Sequence, residues 1–106
     1  MKHLITVGSD SFNSDSTPYG VTAIGEIHRF VDCCSMSEMD AIIAGTANGA
    51  RALGVYHVTG SLTRGKNADM IVIDGDPLKN IYDISVDKMD MIIKDGEEML
   101  RYKDKK

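Results

Sequence analysis

An α/β fold is what the order of patterns along this 106-residue chain predicts. Three observations point to it. A short β-rich run, Leu4-Ile5-Thr6-Val7, opens the chain and stops at Gly8-Ser9-Asp10. Apolar residues then recur at helical intervals as far as Leu53. Beyond Gly54 the runs become short, apolar and β-rich, and Asp95-Gly96 gives a hairpin signal.

Leu4 to Val7 reads as a buried strand ending in a loop. The loop, Ser11 to Tyr19, is built of Ser, Asn, Asp, Thr and Pro, all turn-forming types. Loops of this polarity after a buried strand commonly carry function. From Gly20 to Cys34 the period changes, and Ile24, Ile27, Val31 and Cys34 form one apolar helical face. Ser35-Met36-Ser37 interrupts, with Ser37 placed to cap a second helix. That helix carries Met39, Ile42, Ile43, Thr46, Ala47, Ala50 and Leu53 on one face, with a break expected near Gly45. Gly54 stands where a left-handed C-terminal cap belongs.

Val55 to Val58 reads as a short strand and Gly60 to Gly65 as a turn. Met70-Ile71-Val72-Ile73, framed by Asp69 and Asp74, suggests a strand buried on both faces. Asp74-Gly75-Asp76-Pro77 is a turn by composition. Met91-Ile92-Ile93 is a further strand, and Asp95-Gly96 turns it into Glu97 to Tyr102. The first strand has no evident partner nearby, which leaves a row of backbone groups to be satisfied elsewhere. The expectation is that further residues belong before it.

Composition narrows the function classes. Hydrophobic residues make up 42% and charged residues 26%, the balance of a soluble protein. With no Trp, two Phe and four Tyr, the core must be built from aliphatic side chains and seven Met, and it is expected to be thin. The net charge is −4, and its one basic cluster is the closing Arg101 to Lys106, a solvated terminus. Nucleic-acid binding needs clustered cations and is not expected. No apolar run approaches the roughly 20 residues that span a bilayer, so no membrane partner is expected. The apolar stretch after Lys2 is too short for a signal peptide. Cys33 and Cys34 are adjacent and cannot staple distant segments, so a reducing, cytoplasmic setting is expected.

The ordered motifs resemble a known superfamily. Gly8-Ser9-Asp10 followed by a loop closing at Thr17-Pro18-Tyr19-Gly20 is similar to the last strand and loop of an amidohydrolase barrel. The resemblance continues through Ser35-Met36-Ser37-Glu38-Met39-Asp40-Ala41-Ile42 and through Thr46-Ala47-Asn48-Gly49-Ala50-Arg51-Ala52-Leu53-Gly54. Its most specific part runs from Gly60-Ser61-Leu62-Thr63-Arg64-Gly65-Lys66-Asn67-Ala68-Asp69 through Met70-Ile71-Val72-Ile73-Asp74-Gly75-Asp76-Pro77-Leu78. Ile92-Ile93-Lys94-Asp95-Gly96 completes it. The nearest branch is that of imidazolonepropionase and Xaa-Pro dipeptidase. Ser35 departs from the pattern, where the family usually has Gly, and the Ser- and Asn-rich loop Ser11 to Ser16 departs too.

The resemblance implies the last strand and helices of a metal-dependent (β/α)₈ barrel, residues 1–54, and the C-terminal part of a small β-sandwich, residues 55–106. It implies hydrolysis of C–N bonds in amides, dipeptides or cyclic amides, with a divalent metal, zinc first, in the complete enzyme. Asp10 falls on the aspartate that ends the eighth barrel strand, where the family uses it as metal ligand and catalytic base. A carboxylate suits both roles. Family members add a His-x-His pair and further ligands. His3, His28 and His57 match none of these positions, and structural roles are expected for them. A catalytic zinc needs about three protein ligands and a barrel about 250 residues. The chain alone is therefore expected to bind no metal and to be inactive. A complementing chain or a homo-oligomer would cover its open faces. The competing reading is a non-catalytic remnant or a small oligomeric interaction module.

Other signals carry less. Gly60 to Lys66 has the form of a phosphate loop, but Asn67 replaces the hydroxyl residue that would hold magnesium. A strand rather than a helix is expected after it, so no helix N-terminus faces a phosphate. Cys33-Cys34 reads as a buried or half-buried helix pair, and Met89 to Met99 as strand packing.

Overall fold

In a computed structural model of the chain, residues 5–8 and 21–101 are described, with Leu100 and Arg101 by backbone alone. Three helices come first: α1, Val21–Cys34; α2, Glu38–Gly45; and α3, Ala47–Ala52. A three-stranded antiparallel sheet follows in the order β1-β2-β3, from Met70–Ile73, Met89–Lys94 and Glu97–Arg101. Two short 3₁₀ turns, Ile81–Asp83 and Val86–Lys88, lie between β1 and β2.

The helix boundaries follow local chemistry. α1 ends at Cys34 because Ser35 adopts a left-handed φ of 55° and the Met36 N–H turns back to the Phe30 carbonyl at 3.0 Å. Ser thus occupies a conformation that favours glycine, at a cost of about 1–2 kcal/mol. The Ser37 hydroxyl then accepts the Asp40 N–H at 3.1 Å, capping α2 as expected. The anticipated break falls at Thr46, whose hydroxyl donates to the Ile42 carbonyl at 2.7 Å. This local bond competes with the helical ladder. Gly54 closes α3 with φ 73°, its N–H on the Arg51 carbonyl at 3.1 Å.

The apolar face of α2 and α3 differs from the expected one. The buried residues are Ala41, Ala44, Ala47 and Ala50, while Met39 is 48% and Leu53 80% exposed. Close approach explains the choice: a Cβ on Gly45 would lie 2.7 Å from the Ile27 side chain and 3.6 Å from Val7. Small residues are what fit where α1, α2 and the N-terminal segment meet. Cys33 and Cys34 also depart from expectation, for both are exposed at the end of α1.

Residues 5–8 are extended but belong to no sheet among the described residues, and Ile5 is 43% exposed. The buried strand expected here is therefore an exposed segment laid over the helix junction. Its backbone finds partners in the helices instead of a ladder: Val7 N–H to the Ala44 carbonyl at 3.3 Å, and the Asn48 amide to the Ile5 carbonyl at 2.9 Å. Val55 to Val58 is also no strand. Val55 donates back to Ala50 and Thr59 back to Val55, which closes turns that β-propensity alone could not foresee.

Among the described residues β1 is an edge strand paired only with β2, and Ile71 and Val72 are 50% and 41% exposed rather than buried on both faces. The two-residue turn Asp95-Gly96, with φ of 54° and 77°, joins the paired Lys94 and Glu97. Both angles are those of the hairpin turn that its sequence predicts. Among the described residues Ile81 and Met89 are the buried side chains of this half, and the turn holding Ile81 packs on α1.

Candidate functional site

Asp10, the residue on which sequence reasoning places metal binding and base catalysis, lies outside the described residues, as do the loop from Ser11 and His3. The described approach to it is residues 5–8, fixed through Val7 and Asn48 to the junction of α2 and α3. Among the described residues no group of three or more His, Cys, Asp or Glu is placed to hold a metal ion. Those residues do not by themselves fit the cofactor that the resemblance implies.

The two described histidines are accounted for separately. His28 on α1 bonds through Nε2 to the Ile84 carbonyl at 2.8 Å, and its ring lies 4.8 Å from that of Tyr82. The Tyr82 hydroxyl in turn donates to the Asp32 carboxylate, and that bond, followed by burial, raises its pKa. Together these contacts dock α1 against the segment that precedes β2. His57 is exposed in a turn. An open, mostly apolar groove of about 350 Å³ runs beside this dock, lined by Val21, Ile24, Gly25, His28, Ser85, Val86 and Asp87.

The segment resembling a phosphate loop leads into β1, not into a helix, so it lacks the dipole and the backbone cradle of a nucleotide site. Gly60 turns at φ 96°, and a Cβ there would lie 2.6 Å from that of Ala50. The loop is thereby pressed against α3. Asp69 holds its far end: it accepts the Thr59 hydroxyl at 2.7 Å and the Asp95 N–H at 2.9 Å. These bonds, the one from Thr59 first, hold its pKa below the usual carboxylate value.

One cluster escaped sequence reasoning. The Tyr56 ring carries the Arg51 guanidinium 4.1 Å and the Lys66 ammonium 3.4 Å from its centroid. Lys66 also donates to the Ser61 hydroxyl at 2.9 Å, and Ser61 bonds Thr63 at 2.7 Å. The Tyr56 pKa is lowered, first by its bond with Ser61 and then by Lys66. The signal in the sequence was only the Gly-Lys of the loop. The partners, fifteen residues apart across a helix end, have no common spacing rule.

The amidohydrolase family model matches residues 2–99. The imidazolonepropionase of Picrophilus torridus is 43% identical over 70 residues, covering 64% of this chain and 18% of that protein. A Bifidobacterium longum chain assigned as a prolidase superposes with a TM-score of 0.80 at 32% identity, over 92% of this chain and 23% of that one. A Xaa-Pro dipeptidase solved with methionine in its active site gives a TM-score of 0.68 at 30% identity, over 77% and 20%. The chain thus spans less than a quarter of the length of each of these proteins. No helix among the described residues is long and apolar enough to cross a membrane.

Proposed function

The chain belongs to the amidohydrolase family, and from that premise we propose that it is the C-terminal portion of a metal-dependent hydrolase of C–N bonds. Its substrates would be small amides, dipeptides or cyclic amides. The observation that carries this reading is the family match over residues 2–99, which includes Asp10. Residues 1–54 are read as the end of the barrel and 55–106 as part of the composite sandwich. Asp10 is assigned as one carboxylate ligand of a divalent metal, zinc first, and as the acceptor of a proton from the attacking water. A bound divalent metal polarises the scissile carbonyl and lowers the pKa of water. The remaining ligands come from outside the described residues, in a longer chain or a complementing polypeptide. The 106 residues alone are read as inactive.

The test uses the longest product that contains this segment, assayed for metal content and for hydrolysis of Xaa-Pro dipeptides, N-acyl amino acids and cyclic amides. Asp10→Asn should lower both the metal bound and the turnover, the latter by about 10²-fold or more. Unchanged metal and turnover would remove Asp10 from the site. Turnover by the 106-residue chain alone would overturn the reading of it as incomplete.

A second reading, a non-catalytic interaction module, draws support from large apolar side chains left in solvent. Leu53 is 80%, Leu62 75% and Ile71 50% exposed. Surfaces of this kind mark protein contacts when they are contiguous. A stable oligomer with no metal and no turnover in the longest product would favour it.

A further inference from the structure

We propose that Arg51, Tyr56, Ser61 and Lys66 form a binding site for a small phosphate-type oxyanion. The site goes beyond the hydrolytic reading and does not depend on it. Two cations rest against one aromatic ring, Arg51 Cζ at 4.1 Å and Lys66 Nζ at 3.4 Å from the Tyr56 centroid. The π electrons of the ring offset part of their repulsion. No carboxylate offsets the rest: among the described residues neither cation forms an ion pair. Their hydrogen bonds go to neutral oxygens instead, Arg51 Nη1 to Asn48 Oδ1 at 2.9 Å and Lys66 Nζ to Ser61 Oγ at 2.9 Å. The groups that act on the Tyr56 hydroxyl are Ser61, Lys66 and Arg51, with no acid among them.

An ammonium carries three donors and a guanidinium five, so among the described residues most of the N–H groups of both remain to be used. A tetrahedral dianion matches that supply. The planar fork of Arg51 would engage two of its oxygens, and Lys66 would add a point charge. The hydroxyls of Ser61 and Thr63 stand beside Lys66 to complete the polar wall. Because Lys66 leads towards β1 and not into a helix, side chains alone would hold the anion. That favours a compact phosphate group over a nucleotide. The bound anion would tie α3, which carries Arg51, to the loop that carries Lys66.

The 106-residue chain, labelled with ¹⁵N, is titrated with inorganic phosphate at ionic strength held constant with chloride. Saturable amide shifts are expected, centred on residues 48–66. Arg51→Gln and Lys66→Gln should each raise the half-saturation by about tenfold or more, and Lys66→Arg should restore most of it. Arg51 lies on an exposed helical surface, so its variant keeps the test open even where Lys66→Gln fails to fold. Glycerol phosphate in a parallel titration separates the sources: tighter saturation points to a phosphorylated metabolite, equal or weaker saturation to the free ion. Phosphate also stabilises folded proteins generally, through exclusion from their surface. Shifts that never saturate, or that are unchanged in both Gln variants, overturn the proposal.

Discussion

Between Val21 and Ala52 the buried side chains are four alanines, whereas between Met70 and Met99 they are Ile81 and Met89. The helices lie close because little separates them, with Gly45 admitting the Ile27 side chain at a distance no Cβ would allow. The sheet has no second layer among the described residues, and its edge strand leaves Ile71 and Val72 in solvent. It is held instead by its ladders and by polar fastenings at its margins: Asp69 to Thr59 and Asp95, and Asp83 to the Asp76 N–H at 2.9 Å. Small side chains can be buried by their own neighbours. Large ones need a layer laid over them, and that need is what separates the two halves.

The comparison breaks most readily at Ile81, which is 3% exposed in the turn packed on α1. Ile81→Ala should lower stability by about 2–5 kcal/mol, read from urea denaturation. A loss below about 1 kcal/mol would mean that the helices and the sheet share no core there.

A smaller effect separates the halves by pH. The Asp69 pKa is depressed, so its fastening is complete above the usual carboxylate range and is lost as pH falls through the lower folded value. The Asp95 amide resonance should therefore titrate below the usual aspartate range, while those of Ala41 and Ala44 stay still. A midpoint at or above that range would detach Asp69 from the hairpin.

The smallest change touches the helical half alone. Ser35→Gly should raise stability by about 1 kcal/mol, because glycine adopts the φ of 55° without the Cβ penalty. A loss of stability would show that the Ser35 side chain has a role its backbone does not reveal.

How far the sequence foretold this divides along the same line. Where a residue's own chemistry decides the backbone, the reading held: Ser37 caps α2, Asp95-Gly96 turns the hairpin, and the helix breaks one residue beyond Gly45. Where a distant partner decides, it did not. Met39 and Leu53 share the period of a buried face, but the space at the junction suits only alanines. Met70 to Ile73 has the composition of an interior strand, yet among the described residues one neighbour pairs with it. The family was legible from ordered motifs and the match over residues 2–99 agrees. The same motifs single out Asp10, whose role stays a proposal because it lies outside the described residues. The cation pair on Tyr56 was not, because it is assembled by a turn that brings Lys66 back over α3.

The hairpin tip carries a further consequence. Its two backbone amides, Asp95 and Gly96, are bound to the Asp69 carboxylate and the Ala68 carbonyl at 2.9 and 3.0 Å. Exposed tips are ordinarily where proteases first nick a domain, since the backbone there can be drawn out into a cleft. This tip cannot be drawn out until both bonds have parted from the segment that leads into β1. Limited digestion of the folded chain is thus directed away from the point that exposure alone would select.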